Sequence, residues 1–188
     1  MLWNLTLALF YVLLARDGVT AIHCKNVAKY TAAIGSALGL RPEEVKELYV
    51  AALLHDCGKI GLPDRLLKTT RKYTRWEKQI VQQHVVIGRN LLASLGFSKA
   101  IVDGVYYHHE RYDGMGYMKG LIGDQIPLFG RIIAIADTFD ALTSKRPYRD
   151  PLPVHQAIDI LKDSKGQFDP ELLKCFLQSV ELLRIDVK

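Results

Sequence analysis

Apolar residues return at three- and four-residue intervals through most of the chain, and no stretch alternates apolar with polar positions over a strand's length. The pattern therefore predicts an all-α bundle. Its first run, Leu2 to Ala15, is apolar apart from Asn4 and Thr6 and closes at Arg16-Asp17-Gly18. A second helix is expected from about Thr20 to Leu38, with Ile22, Val27, Tyr30, Ile34 and Leu38 inward and Gly39 ending it. Pro42 opens a third, with Glu43 and Glu44 at its positive end and Val45, Leu48 and Ala52 on its stripe, until Gly58, Gly61 and Pro63 stop it. Thr74-Arg75-Trp76-Glu77 has capping-box form and starts a helix through Ile80, His84, Ile87 and Leu91 to Gly96. Ser98 caps the next, which is expected to reach Glu110. From Arg111 to Gln125 the chain is glycine-rich and aperiodic, a loop lying over something else. Further helices are expected from Pro127 to about Ser144, over 153–164, and over 169–183 behind Asp169-Pro170. There is no repeat, linker or low-complexity segment.

The 188 residues fit one domain, with 1–16 as an N-terminal packing helix, 17–177 as the core that carries the chemistry, and 178–188 as the last helix end and tail. Leu2–Ala15 is shorter than the roughly 17 to 25 residues that span a bilayer, and neither a preceding basic region nor a following cleavage site marks it as a leader. It reads as a buried packing helix, its alternative being the stub of a membrane or upstream segment. Lys and Arg exceed Asp and Glu by 25 to 20, a modest bias toward an anionic partner. The basic residues are dispersed rather than ordered along one helix, so a small phosphate-bearing ligand suits them better than a nucleic-acid duplex. Cys24, Cys57 and Cys175 are odd in number and lack a CxxC pair, which argues against a disulfide framework and for a reducing cytoplasm.

Five of the six histidines, His23, His55, His84, His108 and His109, fall on or beside the apolar stripes of predicted helices. One such histidine is usually a satisfied core residue. Five converging with Asp56 and Asp137 are harder to bury without a metal, because each titratable group must find a partner. Neighbouring residues on a helix point about 100° apart, so His55-Asp56 and His108-His109 can each serve two adjoining sites, with Asp56 as the natural bridge. Imidazole and carboxylate donors suit iron, manganese or zinc, with no thiolate placed to complete a zinc–sulfur site.

The segments His55-Asp56-Cys57-Gly58-Lys59-Ile60-Gly61, His108-His109-Glu110-Arg111-Tyr112-Asp113-Gly114-Met115-Gly116-Tyr117 and Asp137-Thr138-Phe139-Asp140-Ala141-Leu142-Thr143-Ser144-Lys145-Arg146-Pro147-Tyr148 resemble the HD-GYP family of the HD superfamily of metal phosphohydrolases. The resemblance runs from about Asp17 to Leu177. It implies an HD-type helical bundle with a glycine-rich loop over the metal centre, and cleavage of cyclic di-GMP, mainly to linear pGpG. It also implies metal ligation by His23, His55, Asp56, His84, His108, His109 and Asp137. Two divalent ions are expected, iron or manganese preferred and zinc possible, acidifying a shared water for in-line attack at phosphorus.

By the same resemblance Lys59 contacts phosphate beside the catalytic Asp56, and Asp140 contacts the reacting region. Arg146 and Arg149 are phosphate-binding cations, and the Tyr117 loop recognises substrate or a signalling-protein partner. Two positions depart from the pattern. Met118 stands where the motif's proline would complete Gly-Tyr-Pro, and Val19 stands where some members carry a glutamate ligand for a third metal. The alternatives are a weakly catalytic cyclic-dinucleotide sensor, nucleotide monophosphate hydrolysis, or oxygen chemistry at a di-iron centre. Cys57 is expected to be a small core residue, and His155, outside every motif, to be exposed.

Overall fold

A computed structural model describes residues 2–145 and 150–182, the side chains of 181–182 excepted. Arg146 and Arg149 lie outside the described residues. The helices run α1 (Leu2–Arg16), α2 (Gly18–Ala37), α3 (Pro42–Leu53), α4 (Asp64–Leu67), α5 (Arg75–Gln82), α6 (His84–Ser94), α7 (Lys99–Tyr107), α8 (Leu128–Thr143), α9 (Val154–Asp163) and α10 (Pro170–Leu182). Tight 3-10 turns occupy Cys57–Gly61 and Gly123–Gln125. Among the described residues there is no strand beyond one isolated bridge between Asp113 and Ile122, as the helical periodicity predicts. None of the helices is long and apolar enough to cross a membrane.

The expected start signals work through their side chains. Thr74 Oγ1 accepts the Glu77 N–H at 3.2 Å while Glu77 Oε2 accepts the Thr74 N–H at 2.9 Å, closing the predicted capping box. Ser98 and Asp169 likewise accept backbone N–H groups from the first turns of α7 and α10, and Asp17, not expected as a cap, does so for α2, which begins at Gly18 rather than near Thr20.

The bundle is built on α2, which packs against α3 and α8, while α7 lies across α3, α6 and α8. Val27, Ile34, Leu48, Leu54, Leu92, Val105, Ile133 and Phe139 form its buried centre. Phe139 meets Tyr30 and Phe176 edge-on, at centroid distances of 5.2 and 5.1 Å, tying α8 to α2 and α10.

Two expectations about faces are corrected. On α2 the buried line is Thr20, Cys24, Val27, Thr31 and Ile34. Ile22 lies about 200° round from Thr20 and points outward, 61% exposed, while Leu38 at the helix end is 37% exposed. The first helix is not buried as a whole: Thr6 and Leu13 are covered, but Trp3, Tyr11 and Val12 are exposed. It packs along one stripe against α2 and the Cys57–Gly61 turn, and Arg16 anchors its end by donating to the Leu62 carbonyl at 2.6 Å and to Asp64 Oδ1 at 2.8 Å.

Candidate metal centre

Helix ends build the site. His55 Nδ1 lies 2.7 Å from the Ala52 carbonyl, His84 Nδ1 2.7 Å from that of Val81, and His108 Nδ1 2.8 Å from that of Val105. In each case the ring reaches the carbonyl three residues back, which a continuing helix would offer to the N–H one residue further on. The same bonds therefore explain three corrections to the predicted helices. α3 stops at Leu53 and leaves His55-Asp56 in a turn; a break at Gln83 divides the predicted single helix into α5 and α6; and α7 ends at Tyr107, short of Glu110. His55-Asp56 thus sits in a turn rather than winding around a helix, and His108-His109 does not divide between two sites as expected: the two rings lie 4.0 Å apart between centroids and offer donors to one and the same group.

Since a carbonyl can only accept, each of these Nδ1 atoms carries the proton and each Nε2 lone pair faces inward. The Nε2 atoms of His55, His84 and His108 are buried with no hydrogen-bond partner. Leaving such a group unsatisfied costs on the order of 1–3 kcal/mol, and three bare lone pairs turned inward fit a candidate metal site. His23, in the second turn of α2, and Asp137, in the middle of α8, come from the opposite wall.

All seven side chains expected to ligate lie in one cluster. His84, His108 and His109 offer donors within 4.8 Å of one another, and so do His23, His55 and Asp137. Asp56 lies between: Oδ1 is 3.3 Å from His84 Nε2 and Oδ2 3.4 Å from His55 Nε2, so one carboxylate faces both groups. Lys59 Nζ donates to Asp56 Oδ2 at 2.6 Å. His23 is held at both nitrogens, by Asp137 Oδ1 at 2.9 Å and by Asp140 Oδ2 at 2.6 Å. Asp140 is fully buried and also accepts the Ser144 hydroxyl at 2.9 Å. Its carboxylate therefore reaches inward to His23, an orienting contact typical of groups behind a metal ligand.

Burial works against charge on these imidazoles, and neighbours decide the outcome. For His23 burial lowers the pKa, but the hydrogen bonds to Asp137 and Asp140 outweigh it and bring it to about 9. Burial dominates at His55, His84 and His108, all lowered, and pushes His109 down to about 3. Asp56 and Asp137 stay ionised despite burial, Asp56 through Lys59 and the histidines, Asp137 through His23.

These shifts predict the pH dependence of the metal-free protein. The His23 contribution is fully present below its ordinary value of 6.5 and is lost as pH rises toward about 9. The four depressed histidines act oppositely, because below 6.5 the unfolded chain takes up protons that the folded chain refuses. Urea midpoints of chelator-treated protein are therefore expected to peak near neutrality and to fall on both sides. A midpoint that climbs steadily from pH 6.5 to 9 would contradict the His23 assignment.

Around the cluster lie two hollows. One, of about 290 Å³, has Val19, Thr20, His23, Lys59, Asp140 and Lys145 in its lining. The other, of about 210 Å³, is bounded by His109, Arg111, Tyr117, Asp137, Thr138 and Gln167. The glycine-rich loop covers the second, with the Tyr117 ring stacked on His109 at 4.8 Å between centroids and 28° between planes. Burial raises the Tyr117 phenol, so it stays neutral. Arg111 forks onto Asp113 at 3.0 and 2.6 Å and reaches Gln167 at 3.0 Å, strapping the loop to the turn before α10.

Sequence reasoning missed two residues. Cys24 is fully buried with its sulfur among the donors of His55 and Asp56, all within 4.8 Å, while burial and the neighbouring Asp56 push its thiol well above the ordinary range, so it stands there as a thiol rather than a thiolate. Its place on the buried α2 line, next to His23, was the available signal. Glu110 is 3% exposed and accepts backbone N–H groups from the loop; a glutamate directly after two expected ligands was the clue. Cys57 is fully buried and His155 exposed, as expected.

The fold and this donor set define a helical metal-binding protein with four histidines presented at helix ends, a fifth from within α2, and aspartates from a turn and a helix. Residues 6–172 match the family model described as HD domain. The chain belongs to the HD domain family, and the HD-GYP resemblance of its motifs stands with it. It is 38% identical over 171 residues to a cyclic di-GMP phosphodiesterase of Thermotoga maritima, covering 87% of this chain and 45% of that protein. It is 40% identical over 167 residues to the cyclic di-GMP phosphodiesterase response regulator RpfG of Xanthomonas campestris pv. campestris, covering 87% and 44%. The crystal structure of the cyclic GMP-AMP-specific phosphodiesterase V-cGAP3 of Vibrio cholerae shares the fold, with TM-score 0.73 and 24% identity over 98% of this chain and 50% of that one. The chain thus spans less than half the length of the curated relatives it matches.

Proposed function

We propose that this chain hydrolyses a cyclic dinucleotide, cyclic di-GMP foremost, opening one phosphodiester to give mainly linear pGpG. The observation that carries this reading is the set of three buried, partnerless Nε2 atoms around a carboxylate that faces two donor groups, beside a hollow lined by Lys59 and Lys145. His23, His55, Asp56, His84, His108, His109 and Asp137 would hold two divalent ions, iron or manganese preferred and zinc possible. When bound, the ions supply Lewis acidity toward the phosphodiester and the attacking water.

The chain's own residues do the rest. Asp56 holds the two donor groups at a common spacing. Lys59, partly exposed in the first hollow, stands within reach of a phosphate oxygen, and Arg146 and Arg149 add cations with the forked geometry that suits phosphate. Asp140 acts through His23, keeping that ring in one orientation. Tyr117 presents a neutral aromatic face over the second hollow, where a base or a signalling protein would meet it. Val19 is 53% exposed and has no donor atom, so nothing at that position supports a third ion. The relatives named above are called phosphodiesterases, which favours turnover over the sensor alternative. The three unpaired cysteines agree with a cytoplasmic setting.

Anaerobically purified protein is expected to carry two ions per chain, and a chromatographic time course with cyclic di-GMP to show pGpG accumulating before GMP. Three tightly held ions would refute the metal count. Binding of cyclic di-GMP without any linear product would refute the hydrolytic reading.

A further inference from the structure

We propose that Glu110 is a positioning residue that holds the glycine-rich loop so that Tyr117 lies flat on His109 beside the substrate. The inference rests on the substrate reading above. Glutamate is among the residues least often buried without partners, yet Glu110 is 3% exposed, and the partners it has are main-chain N–H groups of one short segment. Oε1 accepts from Lys119 N at 2.6 Å and Oε2 from Leu121 N at 3.1 Å. Both lie just beyond Tyr117, so the carboxylate fills the inside of the turn whose outside carries the tyrosine.

The near side of the turn is fixed to the same residue. A Cβ on Gly116 would lie 2.5 Å from Glu110 Cα and 2.4 Å from Arg111 N, so glycine is what allows the strand of the loop to rest on the Glu110 backbone. Tyr117 N then donates to the His109 carbonyl at 3.3 Å. The segment 116–121 is therefore wrapped around Glu110, from a backbone contact at one end to two carboxylate bonds at the other. Met118 lies inside this stretch, where the family motif has proline. The clamp supplies by side chain a constraint that a fixed proline dihedral would otherwise help to give.

Glu110→Gln keeps the shape and one acceptor oxygen but turns an amide NH2 toward one of the two N–H groups, so one anchor is lost. Two arms of the test need no substrate. In zinc-loaded Glu110→Gln, hydrogen exchange at the Lys119 and Leu121 amides should accelerate, and the His109 ring resonances should move toward those of Tyr117→Ala. Slow exchange with unmoved His109 signals would overturn the clamp. With cyclic di-GMP, Glu110→Gln should raise KM roughly tenfold, the scale of one charged hydrogen bond, with metal content unchanged.

In the Tyr117→Ala background the same substitution should add nothing further to KM. Independent, multiplying effects would show that Glu110 does not act through Tyr117, and lost metal would give it a ligand-supporting role instead. A Tyr117→Ala variant with normal KM would sink the substrate contact itself, an outcome distinguishable from failure of the clamp because the exchange and resonance arms report the clamp alone.

Discussion

Replacing Asp56 by alanine is expected to strip the protein of tightly bound metal and to lower hydrolysis by roughly 10⁴-fold or more, the scale seen when one member of an interdependent catalytic set is removed. Asp56 is the side chain whose two oxygens face different donor groups, at 3.3 Å from His84 Nε2 and 3.4 Å from His55 Nε2, so its loss weakens both at once. It is also the anionic partner of Lys59 at 2.6 Å. Breaking a buried ion pair from one side typically costs about 3–5 kcal/mol, because the remaining charge is left uncompensated. Lys59 keeps some access to solvent, so the lower end of that range is expected, read as a lower urea midpoint in chelator-treated protein. Elemental analysis decides the main point: full metal occupancy in Asp56→Ala would remove Asp56 from the centre.

Gly58→Ala should be nearly as damaging although it removes nothing. An added Cβ would lie 1.9 Å from the His84 carbonyl oxygen and 2.5 Å from Gly88 N, both backbone atoms that cannot rotate away. The turn carrying Lys59 rests directly on the helix carrying His84, and one methyl group must separate them. Overpacking of this kind commonly costs 1–3 kcal/mol, and a clash with fixed backbone belongs at about 3 kcal/mol or above. Because the displaced element begins at His84, metal content should drop together with the denaturation midpoint. Gly18→Ala is the control, since nothing lies within 4 Å of its Cβ position and its backbone is helical; a change within roughly 1 kcal/mol is expected there. Equal midpoints for the two variants would show that the close approach is not rigid.

What the sequence conveyed depended on the kind of interaction. Three helix starts were legible because caps are local: Thr74, Ser98 and Asp169 act on residues two or three positions away, whereas the cap that Asp17 supplies to α2 was passed over. The clustering of the seven expected ligands was legible because their residue types are unusual on apolar stripes and their motifs match a family. Helix ends were less so, since α3 and α7 stop where a histidine ring takes a carbonyl, and periodicity does not register a side chain's choice of partner. The outward turn of Ile22 was hidden by its apolarity. Hydropathy could not reveal that Glu110 is buried, because its partners lie nine and eleven residues further along a loop.

The bonds from His55, His84 and His108 to the carbonyls three residues back have a consequence for protein engineering. Each fixes the protonation of a ring and the length of a helix in a single contact, so the two properties cannot be tuned apart. A stabilised version of this bundle made by extending α3 or α7 through their final turns, or by fusing α5 to α6 across Gln83, would draw those carbonyls back into the helical ladder. The rings would lose the bond that keeps Nε2 bare, and the chain would become a better helical bundle with a poorer grip on metal. Redesign for thermal tolerance is therefore best confined to the outer surfaces of α5, α9 and α10, leaving the imperfect helix ends as they are.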